Sequence, residues 1–132
     1  MLVPSIFFPS TCAEAHELYK KAFGMKVHNI AYYDQVPSDY HDEPLNENTK
    51  KLITHSECSI YGVRINMCDD TEATAAYGSF NIFLPSEDEV LKVFEVLKDG
   101  GTVENEPQAV FWSSIWCTLK DRFGVDWQIM TE

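Results

Sequence analysis

Apolar and polar positions follow two different periods along this chain. After a turn at Asp121–Gly124, Val125, Trp127 and Ile129 alternate with Asp126, Gln128 and Met130, the period of a half-buried strand. Phe80, Ile82 and Leu84 alternate in the same way with Ser79, Asn81 and Phe83. Two other segments keep helical spacing. Ala15, Leu18, Tyr19, Ala22 and Phe23 form one apolar stripe, and Val90, Val93, Phe94 and Leu97 form another. Strand-like patterns follow each helix, at 25–33, 52–60 and 63–69 and then at 102–106, 110–119 and 125–131.

The pattern is a repeat. Ser5-Ile6-Phe7-Phe8-Pro9-Ser10 recurs as Asn81-Ile82-Phe83-Leu84-Pro85-Ser86, 76 residues later. Thr11 with Glu14, and Ser86 with Glu89, fit the capping-box spacing at a helix start. Gly24 and Gly100, again 76 residues apart, stand where each helix should stop. Each half therefore reads β-α-β-β-β. The fold class is α+β, one domain of two tandem modules, 1–70 and 79–132, joined by a linker at 71–78. The polar stretch 34–51, with Pro37 and Pro44, is long for a loop in a compact domain and reads as a lid, a binding loop or a disordered segment.

A two-residue turn at Tyr61-Gly62 pairs Ile60 with Val63, Cys58 with Ile65, Glu57 with Asn66 and His55 with Cys68. Cys58, Ile60, Val63, Ile65 and Met67 then face the core. His55, Glu57, Asn66 and Cys68 share the opposite face, where polar side chains need water or a cavity. Ser5 and Phe7 match Asn81 and Phe83 on that second face, and Asp126 and Gln128 join them. Trp112, Ser114 and Trp116 are assigned to the same side of the 110–119 strand.

Composition narrows the partners. The 132 residues carry a formal charge of −11, from 21 acidic and 10 basic side chains, which disfavours nucleic acid and anionic membrane surfaces. No apolar run reaches the roughly 20 residues that span a bilayer, and the start lacks a basic signal region, so the expected compartment is the cytoplasm. Cys12, Cys58, Cys68 and Cys117 have no CxxC spacing and read as buried free thiols. Among the histidines, His16 is expected on the helix surface, and Asp69-Asp70 in a solvated turn.

Paired β-α-β-β-β modules resemble the vicinal oxygen chelate superfamily, which includes glyoxalase I, extradiol dioxygenases and bleomycin-resistance proteins. AEAHELYKKAFG, THSECSIYGVRINMCDD and VFWSSIWCTLKDRFGVDWQI are similar, more narrowly, to its PhnB-like branch. The chain departs from that pattern at Ile115, where relatives often carry Arg. The resemblance implies a curved mixed sheet around a small-molecule cavity, helices on the outer face, and a homodimer. It also implies four metal positions, which fall here on Ser5 (or Pro4), Asn66, Asn81 and Gln128. None is His, Cys, Asp or Glu, so neither a metal nor a cofactor is expected. The ligand-facing candidates are Ser5, Phe7, Asn66, Cys68, Asn81, Trp112, Trp116 and Gln128. Whether the chain is an enzyme stays open. A metal-free reaction would use His55 as acid or base with Glu57 to orient it.

Overall fold

The computed structural model describes residues 1–35, 46–72 and 79–132. The first module runs β1 (Ser5–Phe8), α1 (Cys12–Phe23), β2 (Lys26–Tyr32), β3 (Ile53–Ile60) and β4 (Val63–Asp69). The second runs β5 (Ser79–Leu84), α2 (Glu87–Leu97), β6 (Thr102–Val110), β7 (Ser113–Lys120) and β8 (Asp126–Thr131). The strands form two mixed four-stranded sheets of matching order, β1-β4-β3-β2 and β5-β8-β7-β6. In each, the first strand pairs in parallel with the last, and the other neighbours are antiparallel. The α+β class and the repeated module are thus as expected. A short 3₁₀ turn, Tyr33–Gln35, follows β2. The expectation for the loop 34–51 falls largely on 36–45, and that for the linker largely on 73–78, outside the described residues.

The β3–β4 register agrees with the turn argument, with Ile60 opposite Val63, Cys58 opposite Ile65 and Glu57 opposite Asn66. Tyr61 and Gly62 both have positive φ, 49° and 81°, as a type I′ hairpin requires. Tyr61 tolerates it with its ring against Phe23, 5.8 Å between centroids. One core assignment fails: Val63, next to the hairpin turn, is 64% exposed.

The second half departs from expectation at β6 and β7. Strand β6 runs on to Val110 through Pro107, which an edge strand can carry because one side of it needs no donor. The turn then falls at Phe111-Trp112, between paired Val110 and Ser113. The apolar run there contains no turn-forming residue, which is why the pattern reads as one strand.

Two helix ends also differ from expectation. Ser86 caps α2 as expected, accepting from the Glu89 N–H at 3.3 Å and donating to the Glu89 carboxylate at 3.1 Å. Thr11 makes no such bond. The α1 N-terminus is met instead by buried Asp69, whose Oδ1 accepts from Cys12 N–H and whose Oδ2 accepts from Ile53 N–H, both at 2.9 Å. Asp69 is therefore no solvated turn residue: its carboxylate satisfies a helix end and a strand start together. Gly24 caps α1 with φ 66°, whereas α2 ends earlier, at Lys98, and Gly100 lies past the cap.

One hydrophobic core serves both modules. Helices α1 and α2 pack on each other, and Tyr19 and Phe23 of α1 meet Trp127 of β8 at 5.5 and 4.9 Å between ring centroids. At its centre Asp121 is buried. Its Oδ2 accepts from the Tyr19 hydroxyl at 2.7 Å and from the Trp127 indole at 2.8 Å. Its Oδ1 accepts from the backbone N–H of Phe123 at 2.8 Å and of Val125 at 3.1 Å. Burial and the adjacent Asp121 carboxylate raise the Tyr19 pKa, so the phenol stays a donor.

His16 is buried, contrary to expectation. Its Nε2 lies 2.9 Å from Ser56 Oγ and 3.6 and 3.7 Å from the sulfurs of Cys12 and Cys58. The helical stripe extends to it because α1 lies flat on β3. Burial, and then Lys20, lower its pKa below the ordinary 6.5.

Two predictions follow from this core. Asp121→Ala strands four buried donors and should cost about 4 kcal/mol, and Tyr19→Phe about 2 kcal/mol, by urea denaturation. An Asp121→Ala midpoint equal to wild type would refute the clamp. The second concerns pH. The unfolded chain protonates His16 at its ordinary pKa and the folded chain only lower, so the unfolded state binds the proton first as pH falls. Stability should therefore drop below about pH 6.5, and His16→Gln should flatten that part of the profile. Parallel wild-type and variant slopes between about pH 7.5 and 5.5 would rule this out.

Candidate functional site

The helices and the shared core occupy one side of each sheet, so the other side of each is left open. Every strand sends alternate side chains there. On the first sheet, paired positions place Ser5, Asn66, Glu57 and Asn29 in one row across β1, β4, β3 and β2. On the second sheet, Asn81, Gln128, Thr118 and Asn105 form the matching row across β5, β8, β7 and β6. A run of polar side chains across the middle of both sheets is the central feature of the site.

The first face is ionic. Arg64 Nη2 donates to Glu57 Oε1 at 2.7 Å, and Arg64 Nε donates to Asn66 Oδ1 at 3.4 Å. His55 Nε2 lies 3.7 Å from the same Glu57 oxygen, which Arg64 holds more closely. His55 is exposed, and Glu57 and Asn66 are part-buried. His28 joins the face through a β-bulge, 2.8 Å from Ser59 Oγ. Phe7 is half exposed beside this row. Cys68 is part-buried, and burial, Asp69 and Asp70 push its thiol up to about 11, which suits a hydrogen-bonding side chain rather than a thiolate nucleophile. All four cysteines are free, and the other three are buried.

The second face is neutral at its centre and aromatic along one wall. Trp116 Nε1 donates to Gln128 Oε1 at 3.3 Å, and Asn105 Nδ2 donates to Thr118 Oγ1 at 2.8 Å. These residues line a cavity of about 330 Å³ together with Ser79, Glu104, Asp126 and the edge of Trp127. At its edge Lys120 pairs with Asp126 at 2.9 Å. Trp112 meets Trp116 edge-on, 5.5 Å between centroids, so Trp116 does lie on this side, and Trp112 stands at the hairpin turn rather than within a strand. Asn81 and Phe83 are exposed on β5.

The structure thus pairs Ser5 with Asn66, and Asn81 with Gln128, and links Gln128 to Trp116. No hydrogen bond or ion pair joins the first-sheet candidates to the second-sheet ones among the described residues. Sequence reasoning passed over Arg64, Asn105 and Thr118. The hairpin register that placed Glu57 also pairs Ser59 with Arg64 and would have found the first. Thr118 follows Trp116 by simple alternation on β7, whereas Asn105 sits between bulges of β6 and could not be read that way.

The four positions implied for a metal do not fit one. Their side chains are a hydroxyl and three amides, with no charge to offset a divalent cation. The amide oxygens of Asn66 and Gln128, the atoms a cation would need, already accept from Arg64 and Trp116. No cluster of three or more His, Cys, Asp or Glu is arranged to hold a metal ion among the described residues.

The comparisons agree with this architecture. The structure is similar to the PhnB protein from Bacillus cereus, with a TM-score of 0.83 at 19% identity, covering 99% of this chain and 98% of that one. It is also similar to PA1353 from Pseudomonas aeruginosa, with a TM-score of 0.79 at 26% identity, covering 100% and 97%. YjdN of Escherichia coli (strain K12) is 26% identical over 136 residues, 97% of this chain and 92% of that protein. The model of the Glyoxalase/Bleomycin resistance protein/Dioxygenase superfamily matches residues 6–129, and the chain belongs to that family.

Proposed function

We propose that this protein binds a small organic molecule on the polar faces of its sheets, without a metal at the four family positions. The observation that carries the reading is the cavity of about 330 Å³ on the second sheet, where an indole wall meets amide and hydroxyl groups. A non-catalytic role fits the second-sheet row, where Asn81, Gln128, Thr118 and Asn105 include no general acid or base, and on the first sheet Cys68 is no thiolate. The second reading is an enzyme using His55 with Glu57, favoured by their 3.7 Å approach on an open face.

We also propose a homodimer. Phe7, Phe83 and Trp112 are each half exposed or more, and Phe111 is 97% exposed. Apolar side chains of this size around two open sheet faces suit cover by a second copy.

Native mass spectrometry of the protein as purified should show a dimer mass and no stoichiometric transition metal. A bound metal in a one-to-one ratio would end the metal-free reading. Gln128→Glu should not create tight metal binding, because Ser5, Asn66 and Asn81 remain neutral partners. An aromatic ligand library should raise the thermal midpoint with at least one compound, since a ligand bound only to the native state stabilises it. A flat response across the library would count against small-molecule binding. Once a turnover reaction is found, an unchanged kcat in His55→Asn would remove His55 from it.

A further inference from the structure

This inference rests on the reading of the polar faces as binding surfaces and concerns which chemistry they accept. An indole N–H only donates, so Gln128 must turn its Oε1 toward Trp116, as it does at 3.3 Å. Its NH₂ group is then directed elsewhere, and no partner for that nitrogen occurs among the described residues. Gln128 is part-buried and lines the cavity.

Asn66 repeats the arrangement on the other sheet. A guanidinium also only donates, so the 3.4 Å approach of Arg64 Nε fixes Asn66 Oδ1 toward it. The Asn66 NH₂ is left in the same position as that of Gln128. Glu57 anchors Arg64 at 2.7 Å and so keeps the orienting donor in place. The two amides are equivalent across the repeat, since each sits on the last strand of its module, opposite the first-strand residue Ser5 or Asn81. In both modules a neighbouring side chain occupies the amide oxygen, and the nitrogen has no partner among the described residues.

We propose that these faces take an oxygen acceptor, the carbonyl or carboxylate of a planar organic molecule, at the NH₂ groups of Asn66 and Gln128. The polarity is opposite to that of a metal site. For Gln128 to ligate a cation or accept from an amine, its oxygen must leave Trp116, and the part-buried indole N–H loses its partner. The Trp116 ring beside Gln128 favours a flat ligand body. Glu104 and Asp126 on the cavity wall repel anions, so on the second sheet a neutral carbonyl is favoured over a carboxylate.

The test uses the full chain and four probes: benzoate, acetophenone, benzylamine and Mn²⁺, followed by thermal shift and tryptophan fluorescence at matched ionic strength. Benzoate or acetophenone should bind about tenfold more tightly than benzylamine and Mn²⁺, the worth of one well-placed hydrogen bond. Their ratio distinguishes a carboxylate ligand from a neutral carbonyl. The double variant N66D/Q128E turns both donors into acceptors of nearly the same shape and should reverse the preference. Gln128→Met removes one donor without adding charge and should weaken the acceptors without strengthening benzylamine. Tighter binding of benzylamine or Mn²⁺ by the wild type, or an unchanged preference in the double variant, overturns the proposal while small-molecule binding stands. Silence from all four probes and from a wider aromatic library overturns both.

Discussion

The buried carboxylate of Asp121 is the interaction on which the two-module arrangement depends. An ion without a counter-charge in a core is costly unless donors surround it. Here four do, two from its own loop and two from the side chains of Tyr19 and Trp127. Tyr19 belongs to the first module and the rest to the second, so the bonds that make the carboxylate tolerable also fix α1 against β8. The aromatic contacts of Phe8 and Tyr19 with Phe123 extend the same junction. The loop Asp121-Arg122-Phe123-Gly124 resembles a family signature, and its role here is structural: it presents the clamp rather than a ligand.

That clamp decides what the sheets can do. It draws both helices and both core faces into one hydrophobic cluster, so the remaining face of each sheet is excluded from the core. Polar residues can therefore cross the middle of both sheets part-buried or exposed, apart from Thr118, which is buried and paired with Asn105. Asp69 does for the first module what Asp121 does for the junction, joining the start of α1 to the start of β3. Two inward carboxylates satisfied by backbone and side-chain donors account for the order of the scaffold. The outer rows, ionic on the first sheet and neutral on the second, are left free of that structural task.

Much of this was legible in the chain because the side-chain period is simple. Alternation placed Trp127 inside and Gln128 outside, and the Tyr61-Gly62 turn fixed the pairing of Glu57 with Asn66. The internal repeat supplied the second module from the first. What escaped depends on long-range geometry. Nothing local marks Asp69 as a cap for a helix 57 residues away, or His16 as buried beneath the plane of β3. The turn at Phe111-Trp112 is hidden because two aromatics stand where turn-forming residues usually do. Asn105 and Thr118 meet only through the bulged register of an edge strand.

The same geometry explains why Gln128 is more than a missing carboxylate. A glutamate there would also accept from the Trp116 indole, so the tryptophan alone does not select between them. The difference lies in the second atom of the head group. In a carboxylate it would be a further acceptor, suited to a cation. In the amide it is a nitrogen with two protons, directed by the bond its oxygen makes. Asn66 shows the same logic with a different orienting donor, Arg64, which argues that orientation rather than residue type is the shared feature. Changing only the head groups at Ser5, Asn66, Asn81 and Gln128 would alter which ligand chemistry the faces suit without altering their backbone pairing. The strands that place those groups, and the clamp beneath them, stay as they are.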